Sequence, residues 1–189
     1  ATDIPNPGTD FKACNMKSFS KVCDPDAVLT ESNRYRINTQ LTNMQTKSAG
    51  SNGDFCERKG LEGKFIAVNE GDQSLANGIY DNWKSDAQCG KAVIIMAVKS
   101  SNKIFVAGAS RAGISDTQVA QITETANMQM SQGAVVAAVE GTINSLAGAV
   151  APLNTNRVPS SPPDSPAPGF GGSSSSTALN ALVALTVLL

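Results

Sequence analysis

The chain contains no histidine. That absence removes serine–histidine and cysteine–histidine catalysis and any histidine-ligated zinc site. It contains no Asn-x-Ser/Thr sequon, so N-glycosylation is not expected. Neither sign of charge is in excess, with 15 Lys and Arg against 16 Asp and Glu. Such a balance offers no electrostatic case for nucleic acid or for an anionic membrane surface. No glycine pattern of the phosphate-loop or dinucleotide type occurs. The apolar run at the C-terminal end, Ala178–Leu189, falls short of the roughly 20 residues that a bilayer-spanning helix needs.

That run is informative for another reason. It carries no charge, and the small, polar stretch Pro166–Thr177 precedes it. Small residues, a polar spacer and a terminal apolar tail form the signal for a glycosylphosphatidylinositol (GPI) anchor. The expectation is that 178–189 is cut off and the new C-terminus is joined to lipid at Gly171, with Gly172, Ser173 or Ser174 as alternatives. The chain starts at Ala1, as expected if a secretory signal peptide has been removed. Four cysteines then fit two disulfides in an oxidising compartment. The expected location is the extracellular face of the plasma membrane, with the GPI lipid as the membrane contact.

Four segments are expected: an irregular lead-in over 1–21, a domain over 22–150, a disordered Pro/Ser/Gly-rich stalk and spacer over 151–177, and the tail. Within the domain, Tyr35, Ile37, Leu41 and Met44 recur at near-helical spacing over Thr30–Thr46, and Thr30 with Asn33 supplies half of a capping pattern. Lys64–Val68 reads as a buried strand. Ser74–Trp83 places Leu75, Ile79, Tyr80 and Trp83 on one face of a helix. Ala92–Val98 is apolar on both faces and predicts a central strand covered on both sides. Ser100-Ser-Asn102 predicts a hairpin turn, with Lys103–Ala107 returning. Two helices follow, over Ser115–Met130 and Ala134–Val150. The strand–helix–strand order implies a parallel pair with a right-handed crossover. The fold class is therefore α/β, a three-layer α/β/α sandwich with a small mixed sheet, braced by disulfides.

Several passages resemble a known family. Val22-Cys-Asp-Pro-Asp-Ala-Val-Leu-Thr30 is similar to the opening motif of the TPM domain, in the form carried by the nematode modulator-of-levamisole-receptor family, where a D-P-x-x-x-L segment leads into the first helix. Leu75–Trp83, Cys89–Val98 and Lys103–Gly108 resemble its helix–Trp–Cys–strand passage and its hairpin return. The resemblance covers about Cys14 to Val150. It implies an α/β/α sandwich and a partner that is a membrane receptor or channel. Some plant relatives of the domain are reported as calcium-binding or as weak acid phosphatases, and that is the most chemistry the resemblance implies.

Cys56 precedes the first strand and Cys89 the second, and parallel neighbours start at the same end of a sheet. Cys14–Cys23 and Cys56–Cys89 is thus the expected pairing among three. Glu70 and Asp72 follow the first strand, at the edge where α/β sheets bind ligands, and Asp24 and Asp26 come to the same end. Clustered carboxylates suit Ca²⁺, and the rival reading makes them helix caps and solvated turn residues. Arg111 lies in a glycine-flanked loop and offers an anion contact or a solvated charge, while Trp83 is either an interface anchor or core. The leading expectation is a GPI-anchored extracellular binding module, accessory to or modulating a receptor or channel. The alternatives are a Ca²⁺-dependent surface phosphatase, the only enzyme activity in view, and a structural surface-coat or matrix protein.

Overall fold

The computed structural model describes residues 4–150. The elements in chain order are β1 (Val22–Cys23), α1 (Glu31–Lys47), α2 (Phe55–Arg58), β2 (Glu62–Val68), α3 (Gln73–Trp83), β3 (Ala92–Val98), β4 (Lys103–Ala107), α4 (Asp116–Ser131) and α5 (Val135–Val150). The expected stalk, tail and lipid-attachment residues lie outside the described residues. Among the described residues, no helix is long and apolar enough to cross a membrane.

Local chemistry sets the helix starts. The Thr30 hydroxyl accepts from the Asn33 N–H at 3.3 Å to begin α1, and Asp72 does the same for Leu75 at 2.9 Å to begin α3. Ser115 and Gln118 bond reciprocally at the start of α4, as Asp54 and Glu57 do at the short α2.

The sheet order is β1-β2-β3-β4, with the first three strands parallel and β4 antiparallel. All seven residues of β3 are buried, which its unbroken apolar run requires of a central strand. Gly63 of β2 faces α1, where an added Cβ would run into Leu41 and Met44. The opposite face of the same strand meets α3, with Lys64 set over the Trp83 ring. Helices α1, α4 and α5 pack together over one face of the sheet, and α3 covers the other. The three-layer mixed α/β architecture is thus as expected. The edge strand β1 adds a second crossover, through α1. The crossovers through α1 and α3 step in the same direction across the sheet but over opposite faces, so they have opposite hands and only one follows the right-handed preference.

One helix is too narrow to cover a four-stranded sheet, and the N-terminal segment supplies the missing cover. Ile4, Cys14 and Met16 are buried within the main hydrophobic core. The segment expected as an irregular lead-in therefore belongs to the domain. It leads into β1, a two-residue parallel strand that adds an edge beside Phe65 and Ile66. The bridge Cys14–Cys23 ties this segment to β1, and Cys56–Cys89 ties α2 to the approach to β3.

Candidate groove at the C-terminal edge of the sheet

The D-P-x-x-x-L segment after β1 winds around its own aspartate. Asp24 is fully buried, and its carboxylate accepts from the N–H groups of Val28 at 2.8 Å and Leu29 at 3.0 Å. Arg34, reaching back from α1, adds an ion pair at 3.0 Å and donates to the Leu29 carbonyl at 2.7 Å. These bonds hold Ala27 in the left-handed region at φ 52°, a conformation that costs an L-residue about 1–2 kcal/mol. The motif's aspartate is therefore the organiser of a loop. Its two oxygens are taken up by donors of its own chain.

The wound loop carries the next acid outward. Asp26 is exposed and accepts from the Asn69 N–H at 2.8 Å, which ties the loop to the residue just beyond β2. Asp26 and Glu70 line one small cavity of about 180 Å³ with Pro25 and Asn69. Glu70 accepts from the Ser100 hydroxyl at 3.2 Å. Asp72 turns away to cap α3. Of the four carboxylates expected to share a Ca²⁺ site, the structure places Asp26 and Glu70 together, gives Asp72 a capping bond and buries Asp24 against Arg34. Among the described residues, no three Cys, Asp or Glu side chains form a group able to hold a metal ion.

A larger groove of about 1100 Å³ adjoins this edge. One wall is a face of α3: Ser74, Leu75, Gly78, Ile79, Asn82 and Trp83, pairs that repeat every four residues. The other wall is the N-terminal segment, with Ile4, Pro5, Asn6, Thr9, Asp10 and Ala13, closed by Pro25. The Cys14–Cys23 bridge lies behind that wall. The Pro5 carbonyl oxygen sits 3.3 and 3.1 Å from its two sulfurs, close contacts rather than hydrogen bonds because bridged sulfurs carry no proton. Trp83 closes the far end. Its indole N–H donates to the Ile4 carbonyl at 3.3 Å, and the Lys64 ammonium sits 5.5 Å from the ring centre on the sheet side. The two readings of Trp83 meet here, since the ring packs against the core and also lines the groove. Arg111 stacks over Tyr80 at 5.5 Å, away from this groove.

Lysines gather at the opposite, N-terminal edge. Lys59 pairs with Asp86, and Lys59 and Lys64 both approach Glu62 at about 4 Å. The Lys64 ammonium donates to the Ser85 hydroxyl at 3.0 Å, and that of Lys21 donates to the Gln45 side chain at 2.9 Å. Burial pushes both Lys21 and Lys64 below the ordinary lysine value, against the opposing pull of Glu62. Lys91 donates to the carbonyls of Glu57 and Lys59. Neither this cluster nor the groove is announced by a sequence pattern. The signals were small: one lysine inside an apolar strand and one glycine, Gly78, inside a helix.

Comparison with known proteins agrees with this architecture. The N-terminal domain of a P. gingivalis protein, solved by NMR, superposes with a TM-score of 0.57 at 13% identity, covering 78% of this chain and 88% of that one. The N-terminal domain of the cg2496 protein of Corynebacterium glutamicum superposes with a TM-score of 0.53 at 9% identity, covering 70% and 82%. At such identities the likeness concerns the fold alone. No curated protein matches the chain. The sequence profile of the family described as modulator of levamisole receptor-1 matches residues 1–102, which takes in the N-terminal wall, the wound loop, α3 and β3. This chain belongs to the modulator of levamisole receptor-1 family.

Proposed function

We propose that this chain is an accessory protein that binds a cell-surface receptor or channel and modulates it, with binding rather than turnover as its work. The observation that carries the reading is membership of a family named for receptor modulation, over the part of the chain that builds the groove. Two further features support it. Both cysteine pairs are bridged, which suits an oxidising compartment such as the cell exterior. The sequence beyond the domain carries the small-residue, spacer and apolar-tail pattern of a GPI signal, with Gly171 as the proposed acceptor.

In this reading the domain stands on a short Pro/Ser/Gly stalk at the outer membrane face and meets its partner laterally. Confinement to one membrane replaces three-dimensional search and raises effective concentration, so a modest interface suffices. The decisive experiment has two parts. Phosphatidylinositol-specific phospholipase C should release the protein from intact cells. Cross-linking on the cell surface, followed by purification, should recover a receptor or channel subunit with it. Retention after phospholipase treatment would remove the lipid anchor from the proposal. Recovery of the protein alone would remove the partner.

A further inference from the structure

The groove between α3 and the N-terminal segment has the dimensions and charge of a seat for a polypeptide. Its α3 wall runs from Ser74 to Trp83. At about 1.5 Å rise per helical residue that wall is roughly 14 Å long, the reach of about four residues of extended chain. The volume of about 1100 Å³ lies just above the range of roughly 300–1,000 Å³ in which drug-sized ligands are enclosed.

Two independent observations narrow the occupant. The first is Gly78. It sits in mid-helix on the groove wall, and a Cβ built on it meets no atom of the described residues within 4 Å. No neighbour among the described residues requires a glycine there, although a mid-helix glycine weakens a helix relative to alanine. Its effect is to keep the centre of the wall bare. The second is charge. Asp10 lines the groove, and Asp26 and Glu70 line the adjoining cavity, which shares Ile4, Pro5 and Pro25 with it. The described lining residues include no lysine or arginine. Among the described residues, none of these three carboxylates takes part in an ion pair.

Resting on the reading that this domain binds a protein partner, we infer that the groove takes an extended, basic segment of that partner. Apolar side chains of the segment lie along Leu75, Gly78, Ile79 and Trp83. Its lysines or arginines reach the acidic lip at Asp10, Asp26 and Glu70. The apolar floor supplies contact area, and the lip supplies register and attraction at a distance.

The test is selection of a random peptide library on the full chain, followed by fluorescence anisotropy with the selected peptides in synthetic form. Two variants serve as controls. Gly78→Phe fills the bare centre of the wall, and its circular dichroism and melting temperature establish that it folds. The triple variant Asp10→Asn, Asp26→Asn, Glu70→Gln changes only exposed side chains and keeps the oxygen that accepts from Asn69. The selected peptides should be rich in lysine and arginine. They should bind either variant about tenfold more weakly or worse, and raised salt should weaken them. Selection of neutral or acidic peptides, failure to select any, or wild-type affinity retained in either variant would overturn the inference. Retained receptor association in Gly78→Phe cells would also overturn it while leaving the receptor reading intact. If wild-type cells yield no partner but basic peptides are still selected at the groove, it is the receptor reading that fails.

Discussion

The two ends of the parallel sheet have been treated in opposite ways. At the N-terminal end, Lys59 and Lys64 surround Glu62 and Asp86, and the Cys56–Cys89 bridge fastens the approach to β3. Charge there meets its opposite within the domain. At the C-terminal end, Asp10, Asp26 and Glu70 are exposed and, among the described residues, paired with no cation, beside an open groove. One end spends its charged groups on internal cohesion and the other leaves them available. Strand direction explains the division of labour. Loops that leave the C-terminal ends of parallel strands fan outward and can be reshaped without disturbing the ladder, which is why α/β sheets place ligands there.

The largest expected effect tests Asp24, the charge buried at the open end. Asp24→Ala removes the acceptor for two backbone N–H groups and strands the Arg34 guanidinium, which is otherwise largely enclosed. Breaking a buried pair on one side costs about 3–5 kcal/mol, so chemical denaturation should show a loss of that size. A loss under about 1 kcal/mol would mean that the wound loop stands without its aspartate.

The disulfides separate the two ends directly. The bridged positions are 9 residues apart in Cys14–Cys23 and 33 in Cys56–Cys89. The chain-entropy relation then gives about 3 and about 4 kcal/mol respectively. Alanine at both positions of Cys56–Cys89 should cost more stability yet leave peptide binding at the groove intact. Alanine at both positions of Cys14–Cys23 should cost less and weaken binding, because the N-terminal wall loses its fastening. The opposite pattern would show that the ends are not independent.

A smaller effect of opposite sign is expected at the groove wall. Gly78→Ala should raise stability by about 0.5–1 kcal/mol, seen as a higher melting temperature, since no atom of the described residues opposes the added methyl. The smallest effect lies in the alkaline limb of the stability profile. Burial lowers the Lys64 value in the folded chain, so between that value and the ordinary lysine value the unfolded chain holds more protons. Stability from this group therefore rises with pH across that window. Lys21 contributes in the same sense, and Lys17, raised by Glu31, in the opposite one. The measurement is the difference between wild type and Lys64→Met, in which the rise from Lys64 should vanish.

Pattern announces an element when the element is long enough to repeat. Ala92–Val98 is buried at every position and reads as a central strand from its composition. The α3 face shows itself through Leu75, Ile79 and Tyr80. Val22–Cys23 escaped because two residues carry no period, and its pairing depends wholly on β2 being beside it. The N-terminal segment escaped because its burial comes from a bridge and from the bare area that a single helix leaves, neither of which has a local signature. The carboxylates were half legible. Position after a strand foretold which end of the sheet they occupy. The inward turn of Asp24 depends on Ala27 adopting a left-handed backbone and on Arg34 folding back across ten residues, and no spacing rule encodes either.

Trp83 is the only tryptophan in the chain. Its ring has Lys64 on the sheet side, its N–H on the Ile4 carbonyl, and a further part facing the groove. An indole so placed is an optical probe of groove occupancy. A segment settling beside it displaces water and shifts its emission toward the blue, and a movement of the N-terminal wall breaks the bond to Ile4 and shifts it back. Binding and wall motion can therefore be followed in the unlabelled protein, at one wavelength region, with no other indole to confuse the signal.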